Sequence, residues 1–93
     1  MSEAAFNLPA ILDLSAAEPL RQTLLERMAE REILLNGAAV DRVSTACLQV
    51  LLTAAADCRG KGGRLRLEAP SDALRNAFTT LGLDQHLTEM CAP

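Results

Sequence analysis

Three short strand-like segments, separated by stretches of helical periodicity, limit what this chain can fold into more than any other feature. The segments are residues 10–14, 33–35 and 64–68. Strands that alternate with helices favour βαβ units, in which each right-handed crossover returns the chain to a parallel neighbour. The order β-α-β-α-β-α-α therefore predicts an α/β fold with a mixed or parallel sheet of about three to four strands.

The segment Arg64–Glu68 gives the clearest strand signal because its residues alternate strictly. Leu65 and Leu67 lie on one side, and three charged residues lie on the other. Such alternation is typical of a strand with one buried face and one wet face. We therefore expect the helices to pack mainly on one face of the sheet.

The first helix is expected over about residues 16–30. Ser15 followed by Glu18 forms a capping-box pattern, in which each side chain accepts a hydrogen bond from a free N–H group of the helix start. The expected buried stripe has helical spacing and consists of Ala17, Leu20, Leu24 and Met28.

Ser44 or Thr45 offers an N-cap hydroxyl for a second helix, which is expected to end near Arg59. A helix that is apolar on both sides is either buried on both or docks another molecule. Burial under the domain's own last helix and docking of a partner are both open for this helix. The expected core stripe is Leu48, Leu51, Leu52 and Ala55, and the opposite side carries Ala46, Val50 and Ala54.

Pro70 breaks the third strand, and Ser71 offers an N-cap for a third helix. Gly82 is expected to end that helix, with Leu83 packing back against it in a Schellman-type turn. A short last helix is expected over residues 84–90. The expected buried side of the third helix consists of Leu74, Ala77, Phe78 and Leu81.

Size and composition limit the chain to one small domain. Its 93 residues are 49% hydrophobic with two aromatics, and the formal net charge is −3. We expect the domain over residues 7–90, with flexible termini at 1–6 and 91–93. A nucleic-acid platform needs a basic patch and stacking aromatics, so no nucleic-acid partner is expected.

No apolar run approaches the roughly 20 residues that cross a bilayer, so direct membrane insertion is not expected. Met1–Glu3 carries no basic region ahead of an apolar stretch, so no signal peptide is expected. Cys47, Cys58 and Cys91 are odd in number and lack the spacing of a zinc site or a disulfide framework. Reduced thiols in the cytoplasm are the expected state.

No combination of residues points to catalysis, a metal or a cofactor, and we expect no enzymatic activity. His86 lies in a polar segment near the end of the chain and is expected to be a solvated surface residue. The glycines of Arg59–Gly63 follow a helix and precede a strand, the reverse of a phosphate-binding loop, so we expect a helix-ending turn. Cys47 is expected to be a buried, inert thiol.

The adjacent hydroxyl residues Ser44 and Thr45 lie where the second helix begins. A hydroxyl here ordinarily caps free N–H groups of the helix. A phosphate at the same place would be favoured by the helix N-terminus, so regulated phosphorylation is the alternative. The residues alone favour capping over phosphorylation.

Four segments of the chain, at residues 11–21, 44–48, 68–71 and 81–83, together resemble the STAS domain family, which includes the bacterial anti-sigma-factor antagonists. Residues 11–21 are similar to the family's opening strand and helix. Residues 68–71 and 81–83 are similar to its closing segments. Residues 44–48 fall at the family signature Asp-Ser-Ser/Thr-Gly-Leu, which precedes the second helix.

Within that signature, Ser44 takes the place of the Asp and Cys47 the place of the Gly. In the family, a partner kinase phosphorylates the residue after the Asp. The resemblance therefore implies Thr45 as the phosphoacceptor candidate, with Ser44 as the second candidate.

The resemblance implies a STAS-type fold and a non-enzymatic signalling module that binds an anti-sigma factor or kinase, or a chemotaxis kinase or adaptor. A homodimer is a further option. The alternatives are the STAS subunit of a lipid-transport ABC system, docked on its ATPase, and a small-ligand-sensing domain. The expected partner-binding residues are Arg42, Ala46, Cys47, Val50, Thr53 and Ala54.

Overall fold

The computed structural model describes residues 5–92, in which two parallel sheets pack against four α-helices. The strands are β1 (Phe6–Asn7), β2 (Ile11–Leu12), β3 (Glu32–Asn36), β4 (Arg42–Val43) and β5 (Arg64–Glu68). The helices are α1 (Ala17–Glu26), α2 (Thr45–Gly60), α3 (Asp72–Thr80) and α4 (Asp84–Cys91). A short 3₁₀ turn at Leu14–Ala16 precedes α1.

The main sheet has the order β1-β3-β5, and both pairs of neighbouring strands are parallel. Buried and half-buried residues alternate along β3 and β5, with Ile33, Leu35, Leu65 and Leu67 on the buried face. The helices pack on that face, since the apolar core lies there. The α/β fold predicted from the sequence is therefore confirmed.

Apart from Leu34, the opposite face of β3 and β5 is polar, and some of its side chains pair with each other. Glu32 lies beside Arg64, and Asn36 lies beside Glu68 in the parallel register. The Asn36 Nδ2 donates to the Glu68 Oε2 at 3.4 Å. Neighbouring side chains of this kind each add a fraction of a kcal/mol to a sheet, so the wet face is stabilised without a covering helix.

Two strands, β1 and β4, are absent from the sequence-based prediction because each has only two residues and so shows no periodicity. β4 pairs with β2 in a separate parallel sheet. The Ser44 N–H donates to the Leu12 carbonyl at 2.7 Å, directly before α2. This second sheet therefore fixes where α2 begins.

The predicted capping box of α1 is wrong. The carboxylate of Asp13 accepts from the Ala16 N–H at 3.2 Å and from the Ser15 hydroxyl at 2.7 Å. The Ser15 hydroxyl donates to Asp13, and α1 begins at Ala17 after an N-cap residue, Ala16, that has no side-chain cap. Glu18 accepts from Arg21 along the helix instead.

The core stripe of α2 is rotated relative to the predicted one. Leu52, expected in the core, is half-buried, whereas Ala54, expected on the outer side, is buried. The reason is that α2 packs against α1 on one side and lies near α4 on the other, so burial does not follow a single stripe. The buried residues of α2 are Cys47, Leu48, Leu51, Ala54 and Cys58.

The predicted start and end of α3 agree with the structure. The Ser71 hydroxyl accepts from the Leu74 N–H at 3.1 Å. At the other end, the Leu83 N–H donates to the Phe78 carbonyl at 2.8 Å, and Gly82 has a φ of 71°, as a Schellman motif requires. Leu81 was expected to be buried but is 46% exposed, because it lies in the turn after the helix.

Of the predicted flexible ends, residues 1–4 and 93 lie outside the described residues. Within the described range, Phe6 belongs to β1, and the Arg27 guanidinium lies 5.5 Å from its ring centroid. Near the other end, Arg64 donates to the carbonyl of Glu89 at 3.0 Å and to that of Ala92, which holds the C-terminus of α4 against β5. The limits of 7–90 for the domain stay a prediction.

Gly63→Ala should lower the free energy of unfolding by about 1–3 kcal/mol, as overpacking of a tight site does. A Cβ at Gly63 would overlap the carbonyl oxygen of Arg31, which accepts the Arg64 N–H at 2.8 Å. Gly60→Ala is the matched control, because a Cβ there meets no atom within 4 Å and Gly60 is helical. It should raise stability by about 0.5 kcal/mol. Urea denaturation measures both, and equal effects would contradict the clash.

Candidate functional site

The start of α2 has two neighbouring hydroxyl residues, Ser44 and Thr45, which differ in hydrogen bonding and exposure. Ser44 is the N-cap, and its Oγ accepts from the Cys47 N–H at 3.3 Å. Thr45 is the first helical residue, and its side chain is exposed. Capping is therefore performed by Ser44, which leaves the Thr45 hydroxyl at the surface.

The charge at this helix start favours an anion. The N-terminus of a helix of 16 residues carries a partial positive charge, and the first turn of α2 contains no acidic residue. Arg42 is exposed on β4, two residues before the N-cap. A phosphate on Thr45 would meet a favourable field here.

Two exposed apolar side chains belong to the segment beside the helix start. Leu14 is 74% exposed, and Ile11 on β2 is 44% exposed. The Cys47 thiol donates to the Asp13 carbonyl at 3.3 Å, which ties this segment to the first turn of α2. Sequence reasoning missed both as exposed residues, because it placed them in the strand segment of residues 10–14.

A groove of about 550 Å³ lies between α1 and α2, and we call it the α1–α2 groove. Its walls are mainly apolar, with polar side chains from Arg21, Gln49, Thr53 and Asp57. Leu25, at 46% exposure, lines the groove on the α1 side. The other lining residues are Ala17, Leu24, Met28, Ala46, Val50 and Ala54.

Four of the six expected partner-binding residues line this groove, namely Ala46, Val50, Thr53 and Ala54. Thr53 is exposed, Ala46 and Val50 are half-buried, and Ala54 is buried. Arg42 is exposed on β4 and does not line the groove.

Cys47 does not belong with the expected partner-binding residues. Its side chain has no exposed surface and faces the core, where its thiol donates to a backbone carbonyl. A partner at the surface of α2 cannot touch it, so the assignment of Cys47 to the partner-binding set is corrected here. The buried thiol is what the sequence analysis expected of this cysteine.

Potentially reactive side chains elsewhere in the described range are scattered. Burial raises the pKa of the Cys58 thiol, and Asp57 raises it further while Lys61 lowers it. Burial likewise raises the pKa of Cys91, against a smaller lowering by Arg75. Thiols with raised pKa values are poor nucleophiles at neutral pH. Within residues 5–92, no three His, Cys, Asp or Glu side chains are grouped in a way that could hold a metal ion.

A second cavity, of about 240 Å³, lies between α2 and α4 above the start of β5. Leu52 and Met90 contribute apolar walls, while Arg59 and Glu89 lie at the cavity 3.8 Å apart. His86 also lines it and is exposed, as the sequence predicted. The cavity lies on the other side of α2 from the α1–α2 groove.

The fold and this helix start define a small α/β domain with parallel strands and a capped second helix. A family model described as "Mlab, STAS domain" matches residues 2–89, and the chain belongs to the STAS domain family. No curated protein sequence matches the chain.

The solved structures that share the fold include two at 21% sequence identity. One is the anti-sigma factor antagonist SpoIIAA in its unphosphorylated form, with 21% identity and a TM-score of 0.72 over 91% of this chain and 79% of that one. The other is a sulfate transporter family protein from Wolinella succinogenes, with 21% identity and a TM-score of 0.69 over 91% of this chain and 70% of that one. At this level of identity the likeness concerns the fold. Across residues 5–92, none of the helices has the length and apolar character needed to span a membrane.

Ser44→Ala should lower the free energy of unfolding by about 1 kcal/mol, because the Cys47 N–H loses its acceptor. Thr45→Ala, one residue further on, removes an exposed hydroxyl and should change stability by less than about 0.5 kcal/mol. Thermal or urea unfolding of the two variants measures the difference. A larger loss for Thr45→Ala than for Ser44→Ala would contradict the division of roles between the two hydroxyls.

Proposed function

We propose that this chain is a non-enzymatic signalling module that binds a regulatory protein through the start of α2 and the apolar side chains beside it. The observation that carries the proposal is the exposed Thr45 at the helix N-terminus, next to the segment with the exposed Leu14 and Ile11. The partner is an anti-sigma factor or kinase, or a chemotaxis kinase or adaptor, and the site of action is the cytoplasm. Membership of the STAS family supports this, since SpoIIAA is itself described as an anti-sigma factor antagonist.

Binding here requires an apolar anchor, which Leu14 provides. Leu14 is 74% exposed in the free protein. Its complete burial by a partner would contribute about 1.5–3 kcal/mol to the free energy of binding. The 3₁₀ turn that carries Leu14 is held by Asp13 and Cys47, so the side chain is presented on a fixed backbone. A fixed anchor loses little conformational entropy on binding, which favours affinity.

Phosphorylation of Thr45 would regulate binding at the same surface. Phosphorylation adds roughly two negative charges and three acceptor oxygens. At the start of α2 the modified helix is not destabilised, because the N-terminus favours negative charge. The change therefore acts on the partner, which meets a charged group in place of a small hydroxyl.

A second candidate function is the STAS subunit of a lipid-transport ABC system, docked on its ATPase. The observation that favours it is the matching family model, described as "Mlab, STAS domain". The same surface at the start of α2 would then bind the ATPase, because an ATPase can dock on an exposed helix start without phosphorylating it. A small-ligand-sensing domain would instead use the cavity between α2 and α4.

The test of the proposal is direct binding to the regulatory protein encoded beside this gene, measured by calorimetry with purified components. Binding to an anti-sigma or chemotaxis protein supports the first candidate, and binding to a transporter ATPase supports the second. If such a partner binds the parent and all surface variants of α2 equally, the surface assignment is wrong.

Incubation with ATP and a cognate kinase should place phosphate on Thr45, because its hydroxyl is exposed while that of Ser44 accepts a helix N–H bond. Mass spectrometry of the peptides locates the phosphate. Thr45→Ala should abolish the modification, and Ser44→Ala should retain it. Phosphate on Ser44 in the parent protein would refute the assignment. No modification with any cognate kinase would favour a constitutive adaptor.

Leu14→Asp should weaken partner binding by at least about tenfold, because a charge would be desolvated where an apolar side chain was. Its own folding should change little, since Leu14 is largely exposed. Leu81→Asp is the control, as it makes the same change at another exposed leucine, on the turn between α3 and α4. Equal losses of binding for both variants would argue against an anchor at Leu14.

A further inference from the structure

The last helix, α4, is attached to the domain less firmly than its neighbour α3. Leu74 and Phe78 of α3 are fully buried, and the Ser71 side chain caps the start of that helix. The buried residues of α4, Leu87 and Met90, keep 8% and 5% of their surface exposed, and no side chain among the described residues caps its start. Because a short helix is marginal on its own, the stability of α4 depends on its packing against the domain.

Part of the inner side of α4 lies over empty space. The cavity of about 240 Å³ between α2 and α4 is bordered on the α4 side by His86, Glu89 and Met90, and across from them by Leu52 and Leu65. Atoms that face a void have no partner atoms on that side, so attractive contacts are missing there. α4 is therefore packed incompletely against α2 and β5.

The far end of α4 is held by Arg64 at the start of β5. The Arg64 guanidinium donates to the carbonyl of Glu89 at 3.0 Å and to that of Ala92. The C-terminus of a helix carries a partial negative charge, so a cation is favoured there and these hydrogen bonds are charge-assisted. The ion pair of Glu89 with Arg59, at 3.8 Å, is largely exposed and contributes little. Arg64 therefore provides the stronger polar attachment of this end.

The other end of α4 has the geometry of a hinge. Residues 81–83 join α3 to α4, and the Leu83 N–H donates to the Phe78 carbonyl, so this turn belongs to α3. The Thr79 hydroxyl donates to the Asp84 Oδ1 at 2.6 Å, which keeps the first residue of α4 beside α3. Hinges are a few residues at the end of an element that absorb a change in φ and ψ. A rotation between Leu83 and Asp84 would move the far end of α4 away from β5 and leave α3 in place.

We propose that α4 is a cover that opens locally at this hinge while the sheet, α1, α2 and α3 stay folded, and that Arg64 holds it closed. Opening widens the cavity into an apolar cleft that Leu52 and Leu65 line. Proteins open in such units at free energies below that of global unfolding. The inference goes beyond the proposed function and does not rest on it, because it involves neither Thr45 nor Leu14.

Hydrogen exchange of the full chain, followed residue by residue with NMR, tests whether α4 opens separately. The amides of residues 87–91 bond within the helix, beginning with the Leu87 N–H on the Leu83 carbonyl at 3.1 Å. Relative to their intrinsic rates, they should exchange at least about 100-fold faster than the amides of Ile33 and Leu35 in β3. Equal protection of α4 and β3 would overturn the proposal, because α4 would then open only with the whole domain.

Ile33→Val separates local opening from global unfolding. Ile33 is fully buried on β3, whereas α4 packs against β5 and α3. The loss of one buried methyl group destabilises the sheet, so exchange in β3 should accelerate about two- to tenfold. Exchange in α4 should stay the same, because the sheet is intact when only α4 opens. The same acceleration in α4 as in β3 would contradict local opening.

Arg64→Ala tests what holds the cover closed. It should accelerate exchange of residues 87–91 at least about tenfold, because the carbonyls of Glu89 and Ala92 lose a charged donor. Arg66→Ala is the matched control, since Arg66 is a half-buried arginine on the same face of β5. It should leave exchange in α4 unchanged within about twofold. If both variants accelerate α4 equally, or if neither does, Arg64 does not hold α4 closed and the proposal is wrong.

Discussion

The pairing of β2 with β4 over two residues is the constraint on which the candidate site depends. It brings the Ser44 N–H to 2.7 Å from the Leu12 carbonyl and so fixes the residue at which α2 begins. From that point the Ser44 hydroxyl caps the helix, and Thr45 is left at the surface. A shift of one residue would exchange the two hydroxyls, and the surface group would become the cap.

α2 has three environments around its circumference, and this explains why its sequence is apolar nearly all round. One side packs into the core, a second borders α1, and a third borders the cavity near α4. A helix with a single buried stripe would need polar residues on the remainder. The small residues Ala46, Ala54 and Ala55 fit this arrangement, since they let neighbouring helices approach without large side chains between them.

Much of the fold could be predicted from the sequence, because its signals are local. The alternation of Arg64–Glu68, the cap at Ser71 and the glycine at Gly82 each act within a few residues, and the structure agrees with all three. β1 and β4 could not be predicted, because each has two residues and, unlike β2, neither lies in an apolar run such as residues 10–14; they exist only through pairing with distant parts of the chain. The capping box failed for a related reason: Asp13 bonds Ser15, and no pattern of spacing shows which of two possible acceptors is used.

The site was predicted less completely than the fold, since exposure depends on tertiary packing. The position of Thr45 follows from a local motif, but the burial of Cys47 and Ala54 depends on how α2 is rotated against α1 and the sheet. The contributions of Leu14 and Leu25 come from elements outside α2, and a helical wheel of α2 alone cannot contain them. Leu14 lies in the segment expected to form the first strand, and Leu25 lies outside the expected core stripe of α1. Together with Ile11 and Leu81, they are the large apolar side chains that the described residues leave exposed, and their exposure follows from how the elements pack and not from any local motif.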